Sequence, residues 1–429
     1  MNYLFIHQNF PAQYRHIVRH LADQRGNRVY FITQPNENAM LGVHKLTYPK
    51  DQRRGINCHA YAQEIERAIH IGANVAEVCR TLREQGFRPD LIIGHSGWGE
   101  TLFVKDVFPD VPVLAYFEFY FHTRGVDVDF DPEFVSLFHE PSRLRTRNAI
   151  SLMAFHSANW GHTPTHWQRS LHPRELQPRI SVLHEGVDTA LACPKPKASF
   201  RLPASGRVFT REDEVVTYVA RNLEPYRGFH IFMRALPQLL RRRPRAQVLI
   251  AGGDGVSYGA PAPPSSTFRQ MMLHELGARL DLKRVHFLGM LEYKEYLKLL
   301  QVSSVHVYLT YPFVLSWSFL EAMASGCLII GSNTPPVLEV LRDGHNGLTV
   351  DFFSYRQIAN RIEAALAQRE SMQPLRQAAR ATALKQFDLQ RLILPRWLKL
   401  FDDLRSGRQP ALAEASTVPM PRPTSRRAG

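Results

Sequence analysis

Two arginines stand where a predicted strand gives way to a helix in the second half of the chain. Arg221 and Arg227 lie in residues 219–228, and the next helix is predicted to begin near Phe229. Guanidinium groups make paired hydrogen bonds to phosphate oxygens, and a helix N-terminus adds backbone N–H groups to such a site. This spacing fits a phosphate-binding turn and a solvated basic turn about equally.

One carboxylate lies inside an otherwise apolar helical stretch. That stretch, residues 311–326, lies between two apolar runs typical of strands, and Ser316 and Gly326 are predicted to cap the two ends of its helix. A carboxylate in such a helix needs a partner or a ligand. Glu321 can accept two hydrogen bonds from a sugar diol such as a ribose, or it can pair with a neighbouring arginine.

Glycines follow two further predicted strands of the same half. Gly252 and Gly253 come after one of them and Gly289 after the other. A glycine at a strand end permits a tight turn and a close approach of a ligand to the backbone. The pattern indicates binding only weakly, because such turns also simply connect strands to helices, and it is not a dinucleotide fingerprint. Residues 255–267 are predicted to form a mobile surface loop.

The first half carries a polar, glycine-rich loop after a predicted buried strand. Residues 94–100 contain His95, Trp98 and Glu100. An exposed tryptophan beside glycine and a carboxylate suits stacking on a carbohydrate ring and hydrogen bonding to its hydroxyls. The alternative is the entry to a helix, with Glu100 in its first turn.

A run of aromatic residues surrounds another candidate carboxylate in this half. Glu118 ends a predicted strand within residues 116–122, and burial there would raise its pKa and suit it to acid or base chemistry. His122 titrates near neutral pH and could act in the same way. Taken singly, either residue is more often a structural group with a hydrogen-bond partner.

The elements that must position these residues are two series of apolar runs that alternate with helical patterns. Such alternation predicts α/β domains with doubly wound parallel sheets, and 429 residues are too many for one ordinary core. We therefore predict two Rossmann-like domains whose strands face a cleft with their carboxyl ends, the usual place for a ligand. The predicted divisions are an N-terminal domain at 1–192, a linker at 193–204, a C-terminal domain at 205–387, a helix at 388–405 that packs back on the N-terminal domain, and a disordered tail at 406–429.

The chain is basic, with 53 Lys and Arg residues against 39 Asp and Glu and a formal net charge of +14. This balance suits phosphorylated substrates, an anionic membrane surface or another polyanion. Nucleic acid is disfavoured as a partner because no recognisable binding motif is present. The helix predicted around Arg15, His16, Arg19 and His20 fits a membrane-surface contact and a solvated face about equally.

Several simple classes are disfavoured by what the chain lacks. No apolar run reaches the ~18 residues needed to span a bilayer, and the N-terminus has neither a basic region nor a cleavage signal. A cytoplasmic protein is therefore expected, with peripheral contact at the inner face of the cell membrane as a hypothesis. The four cysteines show no metal-ligand spacing, so reduced, mostly buried thiols are predicted.

Residues 318–330 resemble the signature helix of the family-4-type retaining glycosyltransferases with the GT-B fold. Residues 337–348 resemble the block that follows it in that family, and residues 182–188 resemble its Gly-Val-Asp block before the linker. Arg221 and Arg227 stand where the family has its diphosphate-binding Arg and Lys. The blocks agree in order and spacing, and the resemblance points to a bacterial subgroup of the polysaccharide-assembly kind.

The resemblance implies transfer of a sugar from a nucleotide-diphosphate sugar to a carbohydrate or lipid-linked oligosaccharide, with retention of the anomeric configuration. Glu321 would hold the ribose hydroxyls, while Arg221 and Arg227 would neutralise the departing diphosphate. The family needs no metal or other cofactor, and the leaving phosphate takes the acceptor's proton in a same-face attack. Other donor-side candidates are Phe313, Val314, Leu315, Ser316, Gly252, Gly253 and Gly289. Candidates on the acceptor side, in the N-terminal domain, are Gln13, His95, Trp98, Glu100 and His122, with Glu118 as a catalytic candidate.

The chain departs from the family pattern at the donor sugar. The family has two glutamates with seven residues between them, and the first of these positions is Phe313 here. Backbone N–H groups of Val314, Leu315 and Ser316 could still serve the donor. The other departures are Pro11-Ala12-Gln13 in place of a Gly-Gly loop, Arg227 in place of lysine, Glu118 where many members have histidine, and Pro335-Pro336 in place of a second Gly-Gly pair.

Two alternatives belong to other functional classes. Another GT-B enzyme, such as a sugar phosphorylase or a nucleotide-sugar epimerase, would share the architecture, although no phosphorylase cofactor lysine is evident. A donor-binding or scaffold subunit with weak or lost catalysis is favoured by Phe313 alone.

Overall fold

A computed structural model describes residues 1–50, 57–134 and 140–412. These residues form two compact units. The first comprises residues 1–50, 57–123, 140–186 and 389–412, and the second comprises residues 124–134 and 187–388. The first unit thus ends before the predicted boundary at residue 192, and a short segment of the N-terminal half groups with the second unit.

The first unit is built on a parallel sheet. Its strands are β1 (Asn2–Ile6), β2 (Arg28–Thr33), β3 (Val43–Thr47), β4 (Leu91–His95), β5 (Val113–Tyr116), β6 (Trp160–Thr163) and β7 (Ile180–Val182). Within the described residues the order of these seven strands is β3-β2-β1-β4-β5-β6-β7. Successive strands are thus added on one side of β1 and then on the other, so the switch point lies between β1 and β4. Ligands bind at this position in open α/β sheets.

Helices cover both faces of this sheet, as its apolar strands require. They are α1 (Arg15–Ala22), α2 (Gln63–Glu84), α3 (Val104–Val107), α4 (Pro141–Ser157), α5 (His166–Leu171) and, late in the chain, a helix at Leu394–Arg405. The core on one face is formed with α2, α3 and α4. The core on the other face is formed with α1 and the late helix. The sheet is doubly wound.

The second unit repeats this design. Its strands are β8 (Ser199–Arg201), β9 (Val208–Thr210), β10 (Val215–Asn222), β11 (Gln247–Gly253), β12 (Val285–Gly289), β13 (Val305–Tyr308), β14 (Ile329–Ser332) and β15 (Leu348–Val350). In the part of the chain that is described, six of them form a parallel sheet in the order β12-β11-β10-β13-β14-β15. Its switch point lies between β10 and β13. β8 and β9 form an antiparallel pair, so the predicted linker contains a strand.

The helices of the second unit follow the strands in alternation. They are α6 (Phe229–Arg242), α7 (Phe268–Leu276), α8 (Tyr293–Val302), α9 (Trp317–Ala324), α10 (Pro335–Leu338), α11 (Tyr355–Ala367) and α12 (Gln373–Phe387), and the late helix of the first unit is α13. Ser316 caps α9 through its side chain, and Gly326 follows the helix at φ +72°, as predicted for the two ends. No described helix has the length and apolar character to cross a membrane.

The predicted tail divides into two parts. Residues 413–429 lie outside the described residues. Residues 406–412 are described, and Ser181 Oγ of the first unit donates a hydrogen bond of 3.0 Å to the carbonyl of Ala411. The first residues of the predicted disordered tail are therefore tied to the sheet.

Candidate functional site

Arg227 is a buried cation at the switch point of the second unit. It ends a short 3-10 turn, Pro225–Arg227, directly after β10, and only 8% of it is exposed. Its Nη1 donates to Thr310 Oγ1 at 2.8 Å, to the carbonyl of Val314 at 3.0 Å and to Tyr308 Oη at 3.2 Å. The solvated-turn alternative is therefore wrong for Arg227.

The surroundings of Arg227 keep it charged. Burial favours the neutral form, but interactions with Tyr308, Tyr258 and Glu224 hold the pKa of Arg227 above its usual value. The guanidinium carbon lies 5.2 Å from the centre of the Tyr258 ring, within reach of a cation–π contact. Arg227 is thus a permanent positive charge in an apolar, aromatic setting.

Glu224 fixes a neighbouring loop beside this arginine. Its buried carboxylate accepts hydrogen bonds from the backbone N–H groups of Ser257, Tyr258 and Gly259, at 3.1 to 3.3 Å. These residues belong to the loop predicted to be mobile, which is therefore anchored where it passes Arg227. The anchoring places the Tyr258 ring over the guanidinium.

The loop after β13 is joined to the Arg227 turn by backbone and ring contacts. The N–H of Tyr311 donates to the carbonyl of Tyr226 at 3.0 Å, and the two rings stack with centres 4.5 Å apart. Phe313 is buried and packs edge-on against Tyr226 and Tyr258, with ring centres 5.6 and 5.0 Å away. Where the family has a carboxylate, this chain thus places an aromatic cluster.

The predicted backbone donors of this loop are partly occupied. The N–H of Ser316 donates to Tyr308 Oη at 2.8 Å, and Val314 turns its carbonyl toward Arg227. Leu315 is buried between them. The prediction that Ser316 offers a free N–H to a ligand is wrong for this conformation, because the Tyr308 hydroxyl already accepts it.

Glu321 lies on α9 and is held by two tyrosines. Tyr293 Oη donates to Oε1 and Tyr296 Oη to Oε2, each at 2.8 Å. Burial and the nearby carboxylate raise the pKa of Tyr296 well above its usual value, so its hydroxyl stays a donor. The two tyrosines therefore set the plane of the Glu321 carboxylate.

The remaining donor-side predictions are three glycines and Arg221. Gly252 and Gly253 allow the ends of β10 and β11 to approach: a Cβ on Gly252 would lie 2.7 Å from the carbonyl oxygen of Ala220, and one on Gly253 2.8 Å from Asn222 Oδ1. Around Gly289 there is open space, and φ is +65°. Arg221 is exposed, and within the described residues its guanidinium makes no recorded hydrogen bond or ion pair.

Four of the first-half predictions meet at the carboxyl edge of the first sheet. Glu118 follows β5, and its side chain is 23% exposed; Oε2 lies 3.6 Å from His95 Nε2, and Gln13 Nε2 donates to Oε1 at 3.4 Å. His95 Nδ1 accepts the N–H of Gly97 at 3.0 Å, which assigns the proton to Nε2, facing Glu118. Trp98 stacks on the His95 ring, 4.0 Å between centres, so one of its faces is covered by protein rather than exposed.

Comparisons with known proteins agree with this architecture. The chain superposes on HepE of Anabaena, solved with UDP, with a TM-score of 0.65 at 16% identity over 94% of this chain and 100% of that one. It superposes on sucrose-phosphate synthase of Thermosynechococcus elongatus with a TM-score of 0.70 at 17% identity, over 95% and 100% of the two chains. The model of the glycosyl transferase family 4 group matches residues 25–192, and that of the glycosyl transferases group 1 matches residues 205–382. The chain belongs to the family-4-type glycosyltransferases with the GT-B fold.

Curated relatives of this glycosyltransferase match over a shorter range. D-inositol 3-phosphate glycosyltransferase of Corynebacterium efficiens is 27% identical over 175 residues, which are 40% of this chain and 39% of that protein. Spore coat protein SA of Bacillus subtilis is 29% identical over 181 residues, 42% and 46% of the two chains. The chain thus spans less than half the length of these relatives, and they establish kinship without fixing a substrate.

Two of the predicted acceptor-side residues of the glycosyltransferase do not join the Glu118 cluster. His122 Nε2 lies 2.7 Å from the carbonyl oxygen of Leu171 and donates to it. Glu100 is fully buried, where Tyr48 Oη donates to its Oε1 at 3.3 Å. A surface role for Glu100 in binding acceptor hydroxyls is therefore wrong, because its carboxylate is enclosed by the first unit.

We expect Glu100→Gln to remove a component of stability that depends on pH. Burial raises the pKa of the Glu100 carboxyl from 4.5 to about 7, against the lowering effects of His95 and of hydrogen bonds to it. That component is fully present below pH 4.5 and is lost as the pH rises through about 7. At about 1.4 kcal/mol per pKa unit it amounts to about 3 kcal/mol.

Urea unfolding of the wild type and Glu100→Gln across this pH range checks the expectation. The buried histidines, whose pKa values are lowered by burial, oppose the trend in both proteins and cancel in the difference. The free energy of unfolding of Glu100→Gln should increase relative to that of the wild type as the pH rises. A difference that does not change with pH would show that Glu100 is ionised at little expense in the folded protein.

Sequence patterns missed the residues that hold the predicted ones. Tyr293 and Tyr296 reach Glu321 from α8, and Tyr308 and Tyr258 reach Arg227 from β13 and from the anchored loop. The sequence feature that could have pointed to these residues was the recurrence of tyrosines near strands and helices in this half of the chain. The four cysteines are free, and the described residues hold no group of three His, Cys, Asp or Glu suited to a metal ion. Independence from metal remains a prediction.

Proposed function

We propose that this glycosyltransferase moves a sugar from a nucleotide-diphosphate sugar to a carbohydrate or lipid-linked oligosaccharide acceptor in polysaccharide biosynthesis, with retention of the anomeric configuration. The observation that carries the proposal is Arg227, a buried permanent cation at the switch point of the second sheet. The hydrogen-bond partners of its Nη1 are two hydroxyl groups and a carbonyl, which are neutral, and such a charge suits an anionic ligand. The solved complexes of HepE with UDP and UDP-glucose favour uridine nucleotides as the first probes.

The donor is assigned to the second unit. Arg227 and the exposed Arg221 would balance the charge that develops on the leaving diphosphate, which is the kind of interaction that dominates transfer chemistry. Glu321 would accept the ribose hydroxyls with a carboxylate whose plane Tyr293 and Tyr296 set. In this proposal the arginines supply the positive charge, and no metal or other cofactor takes part.

The acceptor is assigned to the first unit. Glu118 offers a partly exposed carboxylate, which His95 Nε2 at 3.6 Å and the amide of Gln13 at 3.4 Å hold in place. A sugar hydroxyl held by Glu118 would be oriented for attack, while the leaving phosphate takes its proton. Trp98 stacks on the His95 ring and would line the acceptor side next to Glu118.

The aromatic cluster around Phe313 favours one rival reading, a scaffold subunit with little catalysis. At position 313 the chain lacks the carboxylate that family members place beside the donor sugar, whereas Arg227 and Glu321 are retained. Incubation of a nucleotide sugar with and without acceptor separates the readings. Transfer requires the acceptor, an epimerase changes the sugar without one, a phosphorylase requires phosphate, and a scaffold produces nothing.

A thermal-shift panel tests the donor assignment. The nucleotide diphosphates and nucleotide sugars of uridine, guanosine and adenosine are added to the wild type and to Glu321→Gln. A bound ligand should stabilise the wild type by about 2.7 kcal/mol at a hundred times its Kd. Glu321→Gln should weaken that binding roughly tenfold, since a hydrogen bond to a charged group is lost.

Glutamine at position 321 keeps one oxygen for the tyrosines, so the fold should be retained. Tyr355→Phe, on the exposed start of α11, is a matched control that removes a tyrosine hydroxyl away from the site. If none of these nucleotides stabilises the wild type, the donor assignment is wrong. Equal binding by wild type and Glu321→Gln would instead remove Glu321 from the site.

Contact with an anionic membrane is also part of the proposal. Arg15 and Arg19 are exposed on α1, and a lipid-linked acceptor would bring the enzyme to a bilayer. Flotation with liposomes that contain anionic lipid, at low and high salt, tests this contact.

A further inference from the structure

Residues 124–134, which we call the strap, pack with the second unit although they lie between β5 and α4 of the first. Phe130 anchors the strap through ring contacts of 5.0 Å with each of Tyr311, Phe352 and Phe353. At its far end, Phe134 meets Phe268 edge-on at 5.5 Å. The strap thus follows the second unit along its whole described length.

Two buried carboxylates of the strap reach the loops that surround Arg227. Asp127 Oδ2 accepts a hydrogen bond of 2.8 Å from the hydroxyl of Tyr226. Asp131 Oδ2 accepts one of 2.6 Å from the hydroxyl of Tyr311 and lies 3.1 Å from His230 Nε2. Asp127 and Asp131 are 5% and 4% exposed, so these hydrogen bonds are shielded from water.

The two tyrosines are the link between the Arg227 turn and the loop after β13. Tyr226 directly precedes Arg227, and Tyr311 lies between Thr310 and Val314, both of which bind the Arg227 guanidinium. The tyrosine rings stack, and the Tyr311 N–H binds the Tyr226 carbonyl. A contact that fixes this tyrosine pair therefore also fixes the position of Arg227 relative to Thr310 and Val314.

We propose that Asp127 and Asp131 are positioning residues for the nucleotide donor, acting through the Tyr226–Tyr311 pair. Neither carboxylate is assigned a contact with the donor; each fixes a tyrosine hydroxyl, and the pair fixes the turn that presents Arg227. This inference rests on the proposed function for its ligand, but the ordering of the loops can be measured without any ligand.

The matched control is Glu133→Gln, on the same strap. Glu133 forms an ion pair with Arg234, which also pairs with Glu275, and it has no recorded contact with the loops among the described residues. If the strap only adds general stability, Glu133→Gln and Asp131→Ala should change the order of the loops to a similar extent. If the strap positions the loops, only the substitutions at Asp127 and Asp131 should change that order.

The first measurement is backbone hydrogen exchange without ligand, on the wild type, Asp127→Ala, Asp131→Ala and Glu133→Gln. Loss of a buried hydrogen bond to a carboxylate should speed exchange in residues 309–316 roughly tenfold in the two aspartate variants and leave Glu133→Gln near the wild type. In Tyr311→Phe, which already lacks the hydroxyl, adding Asp131→Ala should change the exchange much less than it does in the wild type. Equal acceleration by Glu133→Gln, or full additivity with Tyr311→Phe, would overturn the inference.

The second measurement is titration of the same proteins with UDP, GDP and ADP. The aspartate variants should bind roughly tenfold more weakly than the wild type, with Asp131→Asn in between because its amide oxygen can still accept from Tyr311. Altered exchange with unchanged affinity would overturn the link to the donor. If the wild type binds none of the three, the proposed function fails, and the exchange result alone decides whether the strap orders the loops.

Discussion

Arg227→Gln is expected to lower the rate of sugar transfer roughly 10²–10³-fold, the usual loss when one preorganised group that balances transition-state charge is removed. Glutamine keeps an amide that can donate to Thr310 Oγ1 or to the Val314 carbonyl, so part of the loop contact survives. It carries no charge, so the leaving diphosphate loses its buried cation. Nucleotide release measured against donor concentration gives kcat and kcat/KM for both proteins.

Arg227→Lys is the control that separates charge from structure. Lysine restores the residue that the family has at this position and retains the positive charge, although it lacks the planar fork of the guanidinium. We expect a loss of roughly tenfold or less, with thermal unfolding close to that of the wild type. A wild-type rate for Arg227→Gln would exclude Arg227 from catalysis, and equal losses in both variants would assign its role to geometry alone.

The sheet architecture could be predicted because its strands are apolar on both sides. The doubly wound fold follows from the alternation of such apolar runs with helical patterns. β3 and β6 carry a weaker signal, because β3 is an edge strand of half-exposed, mixed residues, Val43–Thr47, and β6, Trp-Gly-His-Thr, is short and contains glycine and histidine. The predicted linker at 193–204 contains β8, whose strand signal is weak because proline and lysine surround a single buried phenylalanine, Phe200.

A residue of the candidate site could be predicted only where its immediate neighbours in the sequence make it conspicuous. Arg227 and Glu321 stand out because each is a charge in an apolar stretch. The tyrosine–aspartate bonds join residues 99 and 180 positions apart, and no local pattern shows which tyrosine meets which carboxylate. The same limit explains Ser316, whose N–H was predicted to be open to a ligand: only the folded loop reveals that the Tyr308 hydroxyl competes for it.

Trp397→Ala is expected to destabilise the first unit by about 3–5 kcal/mol, the range for removing a large buried aromatic side chain. Trp397 is 2% exposed on α13, and its ring lies edge-on to His162 and Phe401, with centres 4.7 and 5.5 Å away. Its Nε1–H also donates to the carbonyl of His184 at 3.2 Å, so the variant leaves both a cavity and an unpaired acceptor. Hydrogen exchange should accelerate in α13 and in β1, whose residues share this core.

Arg396→Ala supplies the matched control, because this neighbouring residue is exposed on the same helix and should change stability by less than about 0.5 kcal/mol. Exchange in β10 and β13 should stay as in the wild type for both variants, since Trp397 contributes to the core of the first unit and not to that of the second. Binding of UDP should then survive Trp397→Ala while transfer to an acceptor declines with the first unit's stability. Unchanged exchange in α13 would show that this helix does not depend on Trp397 for its place, and loss of UDP binding would show that the donor site depends on the first unit's core.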